Sequence, residues 1–167
     1  MVLNKDGQKL VEDSFTLLAD DDALNNDQAQ ILPLARFLDA VEDGSLNART
    51  APLGVLLAPA DDTRALVDHL GKLALIAIDF PQYKDGRGFT HARLLREQLG
   101  WTGELRAVGD VLFDQLNYML RTGFSTFDVR KAYDVEHFAD AINAFTEAYQ
   151  QPGDGRITVI EKRHAVG

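Results

Sequence analysis

The sequence predicts an α/β protein of repeated strand–helix (βα) units with a mostly parallel sheet, and three observations predict it. Short apolar runs without alternation, such as Gly54-Val55-Leu56-Leu57-Ala58 and Leu73-Ala74-Leu75-Ile76-Ala77-Ile78, have the make-up of strands buried on both faces. Stretches with apolar residues at helical spacing separate them. The runs begin near positions 53, 73, 104 and 126, a spacing of consecutive βα units. A complete eightfold barrel takes about 250 residues, and this chain has 167. It reads either as an open doubly wound sheet or as an incomplete TIM-barrel-like one, and both stay open at this point. Crossovers between the strands should be right-handed.

The elements follow in order. Residues 1–19 read as an N-terminal β-hairpin, with Lys5-Asp6-Gly7 as turn and Ser14-Phe15-Thr16-Leu17-Leu18 as second strand. Ile31, Leu34, Ala35, Leu38 and Val41 suggest a helix from about Asp27 to Asp43, stopped at Gly44. Pro33 fits that helix only in its first turn, which argues for a later start. After the strand at 54–58, Asp61 or Asp62 caps a helix whose inner face holds Leu66, Val67 and Leu70. The strand at 73–78 ends in Asp79, and a loop, Phe80 to Gly88, leads to a helix with Ala92, Leu95 and Leu99. Leu105-Arg106-Ala107-Val108 is the next strand, ending at Gly109-Asp110. Leu112, Leu116 and Met119 mark a short helix that Gly123 stops, and Thr126-Phe127-Asp128-Val129 is a further strand. Val135, Phe138, Ile142, Phe145 and Tyr149 predict a last long helix, and Ile157-Thr158-Val159-Ile160 a final edge strand. No linker or low-complexity stretch interrupts the chain, so residues 1–167 are read as one domain.

Composition narrows the chemistry. The chain has no cysteine, which excludes disulfides, thiol nucleophiles and thiolate-held zinc or iron–sulfur clusters. The four histidines, His69, His91, His137 and His164, form no HxH or HxxxH pair, so no metal site is expected. A net charge of −9 argues against nucleic acid and anionic membranes as partners. No apolar run reaches the roughly 20 residues of a bilayer span, and the first residues lack the apolar core of a secretory signal, so the cytoplasm is the expected compartment. The charge is uneven. Residues 1–48 carry a net of −7, whereas residues 81–131 carry +2 and are rich in arginine.

In parallel sheets ligands gather at the carboxyl ends of strands, where loops and helix N-termini converge. Asp79, Asp110, and Asp128 with Arg130 stand at such ends. Arg106, inside an apolar strand, requires a carboxylate partner, and Asp79 and Asp110 are the candidates. Asp79, Arg106 and Asp110 therefore form the catalytic candidate set, as acid–base machinery or as a buried ion network. The loop after Asp79 offers a second site. Gly86 and Gly88 stand before a helix start, with Lys84, Arg87, Arg93 and Arg96 around them, a pattern suited to a small anion. Asp85, Glu97 and Glu104 are also at hand to pair with these arginines. Gly86-x-Gly88 is followed by His91 where a dinucleotide fingerprint needs glycine or alanine, and neither GxxxxGK[ST] nor GxSxG occurs. No cofactor is therefore expected.

The run from Asp79 to Arg96, with Phe80-Pro81-Gln82-Tyr83-Lys84-Asp85-Gly86-Arg87-Gly88-Phe89-Thr90 at its centre, resembles the signature of the bacterial DUF934 family. Gly103-Glu104-Leu105-Arg106-Ala107-Val108-Gly109-Asp110 to Gln115, and Arg121-Thr122-Gly123-Phe124-Ser125-Thr126-Phe127, are similar to two further blocks of that family. The resemblance implies an association with sulfite reduction under an oxidoreductase label. It further implies a role in sulfate assimilation accessory to sulfite reductase, or to another sulfur-assimilation protein. The alternative is an enzyme or binder acting on a small anion at residues 84–96. A partial barrel would leave edge strands that a homodimer could cover.

Overall fold

The computed structural model of the protein describes residues 2–5, 13–19, 21–82 and 84–129. Among these residues the centre is one seven-stranded sheet, curled as a half-barrel, in the order β1-β7-β6-β5-β4-β3-β2. The strands are β1 (Val2–Asn4), β2 (Thr16–Leu17), β3 (Gln30–Pro33), β4 (Leu53–Leu57), β5 (Leu75–Phe80), β6 (Glu104–Gly109) and β7 (Thr126–Val129). From β2 to β7 each strand lies parallel to its predecessor in the chain, and β1 closes the far edge antiparallel to β7. The expected mostly parallel α/β sheet is present.

Two early expectations are corrected. The N-terminal hairpin does not form, because β1 pairs with β7 and β2 with β3, at opposite edges of the sheet. Both edge strands offer unpaired backbone groups, and each N-terminal segment satisfies a different one. Burial follows, with Leu3 and Leu18 packed into the core. The helix expected from Asp27 begins later, since Ile31 and Leu32 run as strand β3, in register with Gly54 and Val55. Helix α1 (Leu34–Glu42) starts behind Pro33, whose missing N–H costs nothing at a helix start.

The other connections follow the residues that specify them. Asp62 caps a 3-10 segment, Thr63–Lys72, its carboxylate accepting from the Arg64 N–H at 3.0 Å. Helix α2 (Arg87–Arg93) continues into one π turn, Leu94–Gln98, and α3 (Phe113–Arg121) leads to β7. The helix expected at 135–149, the strand at 157–160, the turn residues Asp6 and Gly7, and Tyr83 and Arg130 lie outside the described residues.

Alternation along each strand divides the sheet into two unlike faces. One carries Leu32, Val55, Leu57, Ile76, Ile78, Phe80, Leu105, Ala107 and Phe127, packed with Phe37, Leu66, Leu95 and Leu116 from the helical segments. The opposite face carries a smaller cluster, Ile31, Leu75 and Ala77 with Phe15, Leu56 and Val108 beside it. Among the described residues no helix contributes to that second cluster.

Candidate functional site

The second face holds a cavity of about 240 Å³, walled by Phe15, Leu17, Ile31, Leu56, Ala77 and Val108 on its apolar side. Its polar side consists of Asp13, Asp79, Arg106 and Asp128, with the Gly109 backbone at the edge. Register explains the grouping. Asp79, Val108 and Asp128 stand side by side across β5, β6 and β7, and Ala77, Arg106 and Thr126 form the row beneath them. Residues in one row of a parallel sheet share a face, so the two aspartates flank Val108 at roughly 10 Å between Cα atoms, two strand spacings.

Arg106 is 3% exposed. Its Nε donates to Glu104 Oε1 at 3.0 Å and Nη2 donates to the same oxygen at 2.8 Å. Nη1 and Nη2 also grip both oxygens of Asp13, each at 3.0 Å. The Phe15 ring lies 5.8 Å from the guanidinium carbon. Thr126 Oγ1 donates to Glu104 Oε1 at 2.6 Å, so Glu104 is fixed from a second strand. A buried charge held this way is compensated on both sides. The required carboxylate partners are thus Asp13 and Glu104, in place of the expected Asp79 and Asp110. Glu104 sits two residues before Arg106, hence on the same face.

The three catalytic candidates separate. Asp79 and Arg106 border one cavity. Asp110 follows the last residue of β6, its N–H donating to the Phe80 carbonyl at 2.7 Å, and it is not part of the cavity wall. Gly109 between them has φ +100°, and a Cβ there would lie 2.4 Å from the Phe80 carbonyl oxygen and 2.8 Å from Asp79 Oδ1. Only glycine fits this backbone position against both. Asp79, Asp110 and Asp128 are each engaged in a polar or electrostatic contact.

The anion-site candidates disperse as well. Arg87 turns back on Asp85, Nε to Oδ1 at 2.9 Å and Nη2 to Oδ2 at 2.6 Å. This pair holds the Asp85 carboxyl at about 2, below the usual aspartate value. Arg93 lies exposed on the helix and pairs with Glu97 at 3.4 Å. Arg96 sits at the other end of the molecule. Its Nε and Nη2 donate to the Gly123 carbonyl at 3.0 and 2.8 Å, and Nη1 to the carbonyls of Trp101 and Gly103 at 2.5 and 3.0 Å. Those carbonyls precede β6 and β7, so Arg96 ties the strand starts, whereas residues 81–88 follow a strand end. Burial lowers its pKa from the ordinary value. Lys84 and Gly86 are exposed at the rim, and Lys84 is also engaged in a contact. Gly88 is buried, and a Cβ there would come 2.6 Å from the Phe80 ring, so glycine meets a packing requirement.

His91 is buried, its Nδ1 2.6 Å from Thr63 Oγ1 and its Nε2 3.4 Å from the Pro59 carbonyl. With Nε2 protonated, the Thr63 hydroxyl donates to Nδ1, a tie between the 3-10 segment and α2. No group of three or more His, Asp or Glu side chains among the described residues could hold a metal ion. No helix among them is long and apolar enough to cross a membrane.

Asp13 and Phe15 line the cavity without any signal in the sequence. Asp13 is 93 residues from Arg106, and no local pattern announces such a pairing. No curated protein and no solved structure matches the chain. The model of one bacterial family, described as proteins of unknown function, matches residues 54–160 and so spans β4 to β7 with the Asp79, Arg106 and Asp128 rows. The chain belongs to the DUF934 family.

Proposed function

We propose that this protein is an accessory component of sulfite reduction in the cytoplasm, serving sulfite reductase or another sulfur-assimilation protein. We take its working site to be the Arg106 cavity. The pathway rests on the family resemblance. What supports the site is one observation: the buried Arg106 faces a 240 Å³ cavity on the side of the sheet opposite the helices. Burying a guanidinium with two carboxylates is no cheaper than an apolar packing of the same volume, so stability alone does not call for it. We read the sheet as an incomplete TIM-barrel-like half, because β2 to β7 are neighbours in chain order and their inward residues stack in rows. In that reading the cavity is the barrel interior.

The test is co-purification of the tagged full chain from cells using sulfate as their sulfur source. Sulfite reductase, identified by its own absorbance and activity, should accompany the wild type. A preparation free of it under gentle conditions overturns the pathway reading. Light scattering at the same stage tests whether a second copy covers edge strand β2.

The alternative is an enzyme or binder using residues 84–96 for a small anion. The feature favouring it is the groove of about 460 Å³ lined by Arg64, Thr90, Arg93 and Glu97. In that case phosphate or sulfate raises the melting temperature, and Arg93→Ala removes the effect.

A further inference from the structure

We infer that Arg106 is a receptor for the carboxylate of a small monocarboxylic acid and that Asp13 is its built-in competitor. The inference deepens the reading of the Arg106 cavity as the working site and rests on it, but not on the pathway.

Asp13 meets Arg106 as a ligand would. Both carboxylate oxygens take one N–H each, at 3.0 Å, the side-on pairing by which guanidinium groups recognise free carboxylates. Its side chain is 22% exposed, against 4% for Arg106, so the carboxylate enters from the open side. Among the described residues, the segment that carries it pairs with β3 over two residues only and is anchored behind them by Leu18 in the core. Strand β2 has two residues, both exposed, and adjoining bonds run from Thr16 N–H to the Ala29 carbonyl at 3.0 Å and from Leu18 N–H to that of Ile31 at 2.9 Å. Short exposed edges of this kind open at low cost.

Departure of Asp13 would not strand the arginine. Glu104 accepts from both Nε and Nη2 and is itself held by Thr126, so the buried charge keeps a partner while Nη1 and half of Nη2 turn to an incoming oxyanion. The remainder of the ligand has a defined place. Ile31, Leu56, Ala77 and Val108, from strands β3 to β6 that stay in place, wall the cavity next to the guanidinium, which suits a short apolar tail. Arg106 is the one cation among the described residues that line this space. A second negative group on the ligand finds no second cation there, so dicarboxylates and doubly charged oxyanions bind more weakly than monocarboxylates.

The experiment uses the full chain and isobutyrate as probe, with isobutanol as its neutral counterpart and malonate and sulfite as the other arms. Calorimetry should show isobutyrate binding the wild type weakly and Asp13→Asn at least tenfold more tightly, because the internal carboxylate is gone. Isobutanol should not bind. In wild type, saturating isobutyrate should speed hydrogen exchange at the Thr16 amide as Asp13 is released, and leave the Leu18 amide, held by its core anchor, unchanged. Arg106→Lys in the Asp13→Asn background keeps a charge but not the fork, and should lose the gained affinity. Equal affinity of wild type and Asp13→Asn overturns the proposal, as does undiminished binding to the Arg106→Lys double variant. Tighter binding of sulfite or malonate than of isobutyrate overturns the ligand class. Failure to recover sulfite reductase leaves these outcomes untouched, and failure here leaves that association untouched.

Discussion

On one face of the sheet Ile78, Phe80, Ala107 and Phe127 are sealed beneath helices, while on the other Asp79, Arg106 and Asp128 border a cavity. The strands are the same; alternate residues simply serve different tasks. Each face also has its arginine. Arg96, from the π turn on the helical side, spends its donors on three main-chain carbonyls. Arg106 on the cavity side spends them on two carboxylates. Carbonyls cannot be exchanged for a solute without unfolding the backbone that carries them. A side-chain carboxylate can. The contrast teaches that a buried arginine signals a site only when its partners are replaceable, and burial alone does not distinguish the two cases.

Truncating the helical face should give the largest effect. Phe80 is fully buried and packs on Phe89 and Phe124 at ring-centroid distances of 5.3 and 5.8 Å. Phe80→Ala should therefore cost about 3–5 kcal/mol of unfolding free energy in urea denaturation. Val108→Ala on the cavity side, where packing is incomplete, should cost less than about 1.5 kcal/mol. Equal losses would erase the distinction between the faces. Next in size comes Arg106→Met, expected to cost about 3 kcal/mol because Asp13 and Glu104 are left facing one another. Adding Asp13→Asn and Glu104→Gln should recover part of that loss, since the stranded charges are then gone.

The sheet itself was legible because its strands are unusually apolar. Leu75 to Ile78 and Val55 to Leu57 carry the pattern of doubly covered strands, and both pair in parallel. The cavity was half legible. Asp79 and Arg106 could be named from strand-end position and from the cost of a charge in an apolar run. Glu104 was within reach through the two-residue period, and its pairing with Arg106 is local. Asp13 was not, because a contact between the first residues and the sixth strand depends on where the chain crosses the sheet. The hairpin error has the same root. Lys5-Asp6-Gly7 has turn chemistry, but the strands on either side of it answer to β7 and β3, whose open edges lie far away in sequence. The loop 84–96 misled for a different reason. Its arginines cluster in sequence, yet helical geometry and the π turn send Arg93 outward and Arg96 to the opposite end.

Arg96 offers a smaller test of the same contrast. Lysine at that position keeps the charge but cannot span the carbonyls of Gly123, Trp101 and Gly103 at once. Arg96→Lys should cost about 1–2 kcal/mol, the loss of one or two charge-assisted bonds to otherwise buried carbonyls. Binding at the Arg106 cavity should be unchanged. If ligand affinity falls together with stability, the two arginines are coupled and their separate assignment fails.

The smallest effect concerns the rim. Asp85 titrates at about 2 because the Arg87 side chain and backbone N–H both bond its ionised form. Since the folded value lies below the usual one, its stabilising contribution is complete above the ordinary aspartate range and is lost as pH falls through about 2. The pair lies at the surface, with the Arg87 side chain exposed over the partly covered Asp85 carboxylate, so the change should appear locally and leave the global transition unmoved. Carboxyl carbon shifts followed by NMR should give an Asp85 midpoint near 2 in wild type, moving up towards the ordinary value in Arg87→Ala. An unmoved midpoint in that variant would mean that Arg87 is available to a solute after all. The rim would then compete with the Arg106 cavity as the place where the protein meets its ligand.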